Sequence, residues 1–147
     1  MYTGLLHTHS LLRYFVLIAL VLVIINSFLK WSGKKPFTKL DNSLSLYLFI
    51  FTHFQLLIGL VLYFVSDLVQ FNSGTMSNSE LRYWAVEHIS LNLIAIILIT
   101  MARITAKKMA DDIAKHKRLL IFNAIALLLI FISLSMSGRG ILHPSLF

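Results

Sequence analysis

Histidine is the residue type in this chain whose positions could support chemistry. Three of the six histidines, His9, His53 and His88, lie at the start, in the middle or near one end of long apolar stretches. An ionisable side chain inside a membrane is costly, and it is typically buried against other helices and tied to function. Neutral imidazoles that project inward from facing helices are also common axial ligands of haem iron. These three histidines are therefore candidate cofactor-binding and metal-ligating residues.

The same histidines also have a structural explanation. Polar side chains in membrane bundles often form hydrogen bonds between helices, and residues such as Gln55 and Asn92 could bond to His53 in this way. Asn92 lies four residues after His88, so the two share one face of a helix. Ligand and structural roles both remain open from the sequence. The histidines predicted to be interfacial are His7, His116 and His143.

Arg13 is the one charged residue that interrupts the first apolar stretch. It lies four residues after His9, so both side chains are predicted on one helix face. A guanidinium beside an imidazole suits haem propionates, an anionic lipid headgroup or a quinone site. It equally suits an ordinary boundary arginine whose charged end reaches the interface. Arg13 joins the candidate cofactor-binding residues.

The predicted depths of the histidines do not settle which pair would bind a haem. His53 lies fourteen residues from the predicted outer end of its helix and His88 lies seven from its own. At about 1.5 Å per residue, their levels differ by roughly 10 Å. His9 and His88 differ by a similar amount in the opposite sense. Three pairs of axial ligands for a haem iron therefore remain open: His88 with His53, His88 with His9, and a histidine with Met136.

Other chemistries have weaker support in the sequence. His7 and His9, together with Glu87 and His88, could supply nitrogen and oxygen ligands to copper or zinc, or handle a quinone. The chain has no cysteine, which excludes disulfides, thiolate zinc sites and iron–sulfur clusters. It also lacks a phosphate-binding glycine loop, a nucleophile elbow and an HExxH motif. Hydrolase and kinase activities therefore have no support.

The elements that must position these residues are membrane-spanning helices. Hydrophobic residues make up 58% of the 147 residues and charged ones 13%, against roughly 25% charged in soluble domains. Four apolar runs reach the roughly 17–25 residues that span a bilayer, and only helices satisfy the backbone there. Lysines follow the first run without a cleavage site, so we expect a retained helix. The prediction is one all-α domain over 1–147, an antiparallel four-helix bundle with helices at about 9–30, 43–66, 81–106 and 117–137.

The basic residues predict how the bundle is oriented. Ten lie in the connections between the first two and the last two helices, and the other three are Arg13, Arg82 and Arg139. Cytoplasmic loops carry the excess of lysine and arginine, so both termini and the 66–80 loop are predicted outside. The net charge of +7 follows from this topology and gives no reason to expect nucleic-acid binding.

Four segments carry a resemblance to a known family. The segments are LLHTHSLLRYFVLI, THFQLLIGLVLYFV, LRYWAVEHISLNLIAIILITMAR and AKHKRLLIF. In them the chain resembles short four-helix bacterial inner-membrane proteins usually labelled cytochrome b. The resemblance covers all four helices and implies a multi-pass protein of the bacterial cytoplasmic membrane. It also implies that the family has histidines where His9, His53, His88 and His116 stand here.

Two main hypotheses follow for the function. The first is a small b-type cytochrome-like protein of respiratory electron transfer, with haem b held by His88 and either His53 or His9. The alternative is a cofactor-free accessory or structural subunit of a larger respiratory membrane complex or supercomplex. A third hypothesis is a quinone- or metal-handling protein. The expected partners are the lipid bilayer, a respiratory complex and a quinone, and an electron-transfer or accessory role is favoured over a stand-alone enzyme.

Overall fold

The computed structural model describes residues 2–67 and 69–136. Four of its helices are long and apolar enough to cross a membrane, and no strand occurs in the described part of the chain. These helices are α1 (Tyr2–Ser32), α2 (Lys39–Val65), α3 (Ser79–Lys108) and α4 (Asp112–Met136). The predicted all-α four-helix membrane bundle is confirmed.

Each helix starts earlier than hydropathy predicts. The largest difference is in α1, which starts at Tyr2 and not near His9. The first turns of α2 and α3 are polar, lie outside the apolar runs and are held by hydrogen bonds that hydropathy does not detect. The backbone N–H of Thr38 donates to the Asp41 carboxylate at 2.7 Å where α2 begins, and the Asn78 side chain accepts from two backbone N–H groups of the first turn of α3. Such caps satisfy the unpaired N–H groups of a helix start.

The helices alternate in direction and pack unequally. α1 packs against both α2 and α4, and α3 packs mainly against α4. Among neighbouring helices, α2 and α3 have the smallest contact. Small and branched side chains from all four helices form the middle of the core: Leu20, Val23, Leu48, Ala95, Ile99 and Ala126. Many larger apolar side chains face outward, as expected where the solvent is lipid.

The connection between α1 and α2 and the connection between α3 and α4 lie side by side at one end of the bundle, where ten of the basic residues are found in or near them. The backbone N–H of Phe37, in the first connection, donates to the Asp112 carboxylate at 3.0 Å. The rings of Phe37 and His116 are 5.3 Å apart. We call this the basic end. The opposite end, which holds the start of α1 and the connection between α2 and α3, is called the distal end.

A π-helical turn interrupts α3 at Tyr83–Glu87. A π turn adds a residue to the helical repeat and is frequent at functional sites. It buries Tyr83 and Trp84 against the distal halves of α2 and α4. It also brings the Tyr83 hydroxyl to 3.2 Å from Nδ1 of His88, five residues further along the chain.

Candidate functional site

A cavity of about 100 Å³ lies in the distal half of the bundle, and all four helices line it. Its lining is mostly leucine, isoleucine and valine. The polar groups that reach it include two imidazoles, one guanidinium and two side-chain amides: His9, Arg13, Gln55, His88 and Asn92. The walls on α2 and α3 belong to the neighbouring helices that pack least closely. A few polar groups converging in an apolar cavity are typical of a cofactor or ligand site.

His9 enters the cavity from α1 and is 5% exposed. Its ring lies directly against the backbone of α2 at Gly59, where an added Cβ would be 2.9 Å from the His9 Cε1 atom. Its Nε2 atom is 3.5 Å from the Gln55 amide nitrogen. Gly59 therefore permits the close approach of α1 and α2 that places this imidazole in the cavity.

His88 enters from α3, and hydrogen bonds on its Nδ1 side orient it. Tyr83 Oη lies 3.2 Å from that nitrogen and also 3.2 Å from Ser133 Oγ on α4. The Asn92 amide donates to the His88 carbonyl oxygen at 2.7 Å and to Ser133 Oγ at 2.8 Å. In the tautomer in which Nδ1 donates to Tyr83, Nε2 carries the ring lone pair, which is the atom through which a neutral imidazole binds iron. Such outer hydrogen bonds commonly fix the tautomer of ligating histidines.

Arg13 supplies the one formal charge among the residues that line the cavity. It is 7% exposed, Nη2 donates to Tyr14 Oη at 3.0 Å, and the guanidinium lies 4.7 Å from the centre of the Tyr14 ring. The positive charge of Arg13 interacts with the imidazoles of both His9 and His88. The structure thus brings together three of the four predicted site residues.

The fourth predicted residue, His53, does not line this cavity. Its Nδ1 atom lies 2.8 Å from the carbonyl oxygen of Phe49, and the two rings are 4.1 Å apart. Thr52 and Gln55, its neighbours on α2, do face the cavity. Because successive residues are rotated by about 100° on a helix, the direction of one side chain does not follow from that of its neighbour.

The depth mismatch between His9 and His88 does not arise in the structure, because both side chains line the same cavity. Hydropathy places His9 at the first residue of its helix, whereas α1 begins seven residues earlier, at Tyr2. His9 therefore lies about 10 Å inside α1 at about 1.5 Å per residue. The added π turn in α3 further changes the relation between position in the chain and depth.

The remaining histidines and acids are distributed elsewhere. Glu87 pairs with Arg82 at 2.6 Å, and His7 is exposed. His116 is completely buried at the basic end, and His143 lies outside the described residues. In the ranges that the structure describes, no three His, Asp or Glu side chains form a group able to hold a metal ion. A haem iron needs only two axial ligands from the protein.

Sequence reasoning did not identify several residues of the site. Tyr83 and Ser133 form the hydrogen bonds behind His88, and Gly59 seats His9. The spacing between Tyr83 and His88 is five, which brings side chains together only through the π turn. Ser133 lies on another helix, so spacing along the chain contains no signal for it. Gly59 is different, because its position in an apolar helix does predict close helix approach, although not that His9 is the residue packed against it.

The donor set of the cavity fits a haem, and its volume is the tighter constraint. Two imidazoles and a cation converge there, but about 100 Å³ is below the roughly 300 Å³ of a small-molecule site. A haem would therefore need more room than the cavity offers, and Leu93 in the cavity lining is 41% exposed.

Comparison with models of known families, with curated proteins and with solved structures gives no match to this chain.

Proposed function

We propose that this chain is a small b-type cytochrome-like integral membrane protein of respiratory electron transfer, with haem b held by His9 and His88. One observation carries the proposal: imidazoles from two different helices line one apolar cavity together with a buried guanidinium. A haem in such a site supplies a one-electron couple through its iron. The site lies in the distal half, which the charge distribution assigns to the outer leaflet.

The residues around the cavity have separate roles in this proposal. His88 presents Nε2 while Tyr83 holds Nδ1, and this hydrogen bond tunes the basicity of the ligand. Gly59 keeps His9 in place by allowing its ring to contact the α2 backbone. Arg13 would neutralise a propionate or raise the reduction potential by its positive charge. His53 is less suitable as the second ligand because its ring lies outside the cavity lining. Its Nδ1 contact with the Phe49 carbonyl is not an argument against it, since such a bond also leaves Nε2 as the ligand atom.

The test is a reduced-minus-oxidised absorbance spectrum of the protein purified in a mild detergent. We expect a b-type band in the wild type, which His88→Ala and His9→Ala abolish or strongly shift. His53→Ala is the matched control, since it removes an imidazole of the same bundle that does not line the cavity. A colourless wild type, purified with its native partners, would overturn the haem proposal. Equal loss in His53→Ala would overturn the ligand pair.

A specific observation also favours the cofactor-free alternative, an accessory subunit of a larger respiratory membrane complex. The polar groups of the site bond to each other, since Asn92, Ser133 and Tyr83 form a connected set with His88. In that role they would join α3 to α4. This alternative predicts that His88→Gln folds normally and that a colourless wild type migrates with a larger complex on a native gel.

We further propose that the protein resides in a bacterial cytoplasmic membrane with its basic end inside. The four candidate spans support a multi-pass protein, and the excess of basic residues in two connections supports this orientation. A quinone of the membrane is a further candidate occupant of the distal cavity in place of haem, because the cavity is mostly apolar and has a few polar groups. Binding of an added quinone to the haem-free protein that is lost in His88→Ala would support this occupant.

A further inference from the structure

The net charge of the whole chain resides at the basic end. Ten of the thirteen basic residues and three of the six acidic residues, Asp41, Asp111 and Asp112, belong to that end. The acidic groups are engaged locally. Asp41 pairs with Lys30 at 2.7 Å, Asp112 lies 4.0 Å from Lys115, and Asp111 accepts from a backbone N–H at the start of α4. The basic end therefore keeps a large positive excess.

Arg103 is the most deeply buried cation of this end, at 8% exposed. It lies on α3, five residues before the helix ends at Lys108, or about 7.5 Å along the axis. Its Nη1 atom donates to the Asn42 carbonyl oxygen at 3.2 Å, to the Asn42 side-chain oxygen at 3.3 Å, and to Ser45 Oγ. These contacts fix the guanidinium against α2.

The acceptors of Arg103 are all neutral. Within residues 2–67 and 69–136, no carboxylate forms an ion pair with it. Nη2 and Nε donate to no described side chain or carbonyl, and neither atom is sealed inside the bundle. A buried cation without an anion is unfavourable. Two forked donors that face outward from a fixed guanidinium match the oxygens of a phosphate.

We propose that Arg103 is the centre of a binding site for the phosphate headgroup of an anionic phospholipid of the inner leaflet. Charge complementarity favours this occupant, because basic pockets between helices on the cytoplasmic side bind anionic headgroups. Apolar surface for acyl chains adjoins the site, since Leu40 on α2 and Met101 and Ile104 on α3 are 59%, 44% and 42% exposed. The site is distinct from the distal cavity, which Arg103 does not line.

The test is native mass spectrometry of the delipidated full-length protein titrated with phosphatidylglycerol in detergent. We expect one lipid to bind preferentially to the wild type, and Arg103→Gln to weaken that binding by about tenfold, as for the loss of a charged hydrogen bond. Lys107→Gln is the matched control, because it removes the same charge from an exposed position one turn away and should change the affinity by less than about twofold. Circular dichroism checks that each variant is folded.

Arg103→Lys keeps the proposal testable if the glutamine variant fails to fold. Lysine retains the charge but not the forked donors, so a severalfold loss of affinity is expected. Equal losses in the Arg103 and Lys107 variants would show diffuse attraction to the whole basic end and would overturn the site. Displacement of the lipid by millimolar inorganic phosphate as effectively as by phosphatidylglycerol would overturn the assignment to a lipid.

Discussion

Gly59→Ala tests whether the contact between α1 and α2 seats His9 in the distal cavity. The added Cβ would lie 2.9 Å from Cε1 of His9, 3.6 Å from Nδ1 and 3.8 Å from Nε2. The first distance is shorter than real Cβ contacts, so the imidazole or the helix must move. The ring borders the distal cavity, so it can relieve the contact only by turning into that space or by moving with α1. A single methyl group should therefore displace the proposed ligand.

The magnitude follows from two opposing effects. Overpacking a buried site costs about 1–3 kcal/mol, whereas replacing glycine by alanine in a helix stabilises it by about 0.5–1 kcal/mol. We expect Gly59→Ala to lower the free energy of unfolding by about 1 kcal/mol or more. Gly4→Ala is the matched control, because Gly4 is also in a helix and an added Cβ there meets nothing within 4 Å. Gly4→Ala should be neutral or slightly stabilising.

A double-mutant cycle with His9→Ala isolates the contact. Without the imidazole there is no steric conflict, so Gly59→Ala should become stabilising by about 0.5–1 kcal/mol. The assay is reversible unfolding in mixed micelles with an increasing fraction of a denaturing detergent, followed by circular dichroism. If Gly59→Ala has the same effect with and without His9, the contact does not constrain the imidazole, and our account of how His9 is positioned is wrong.

Three other predictions test the rest of the bundle. Asp41→Asn should lower the free energy of unfolding by about 2 kcal/mol, because the Asp41 side chain is 1% exposed and pairs with Lys30 of α1 at 2.7 Å. The control, Asp111→Asn, should change the free energy of unfolding by less than about 0.5 kcal/mol. Equal effects of the two variants in the same micelle assay would contradict the role of the buried pair. Tyr83→Phe removes the hydroxyl beside the His88 imidazole and should lower the free energy of unfolding by about 1 kcal/mol. It should also shift the absorbance spectrum or the reduction potential of a bound haem. Unchanged stability together with an unchanged spectrum would count against this hydrogen bond. Cysteines placed singly at Ser73 and Lys107, in a chain that has none, should react with an impermeant label from opposite sides of the membrane, and labelling of both from outside would refute the orientation.

The number and class of the helices could be predicted from the sequence. A bilayer requires about 20 apolar residues for each span, and the four runs meet that requirement regardless of how they pack. The grouping of basic residues in two connections was also readable, because charges remain outside the hydrocarbon. The pairing of Asn92 with His88 followed from a spacing of four on one helix.

The helix starts and the direction of the polar side chains could not be predicted in this way. The first turns of α2 and α3 are polar, so capping contacts such as those of Thr38 with Asp41 and of Asn78 with Glu80 define them and hydropathy does not. The spans are apolar nearly all round, so the sequence contains no periodic signal for the face that turns inward. For this reason His53 and His9 were equal candidates for the partner of His88 until packing placed His9 with it in one cavity.

Contacts between helices were determined by the tertiary structure alone. Arg103 bonds to Asn42, 61 residues away in the chain, and Tyr83 meets Ser133, 50 residues away. Such pairs depend on the relative rotation and axial shift of two helices, which side-chain packing sets once the spans are in place. The sequence by itself determined that the chain crosses the membrane four times, because the free energy of transferring a helix into lipid is approximately the sum of the contributions of its residues. Which polar groups meet inside was decided only by packing, because it depends on all four helices together.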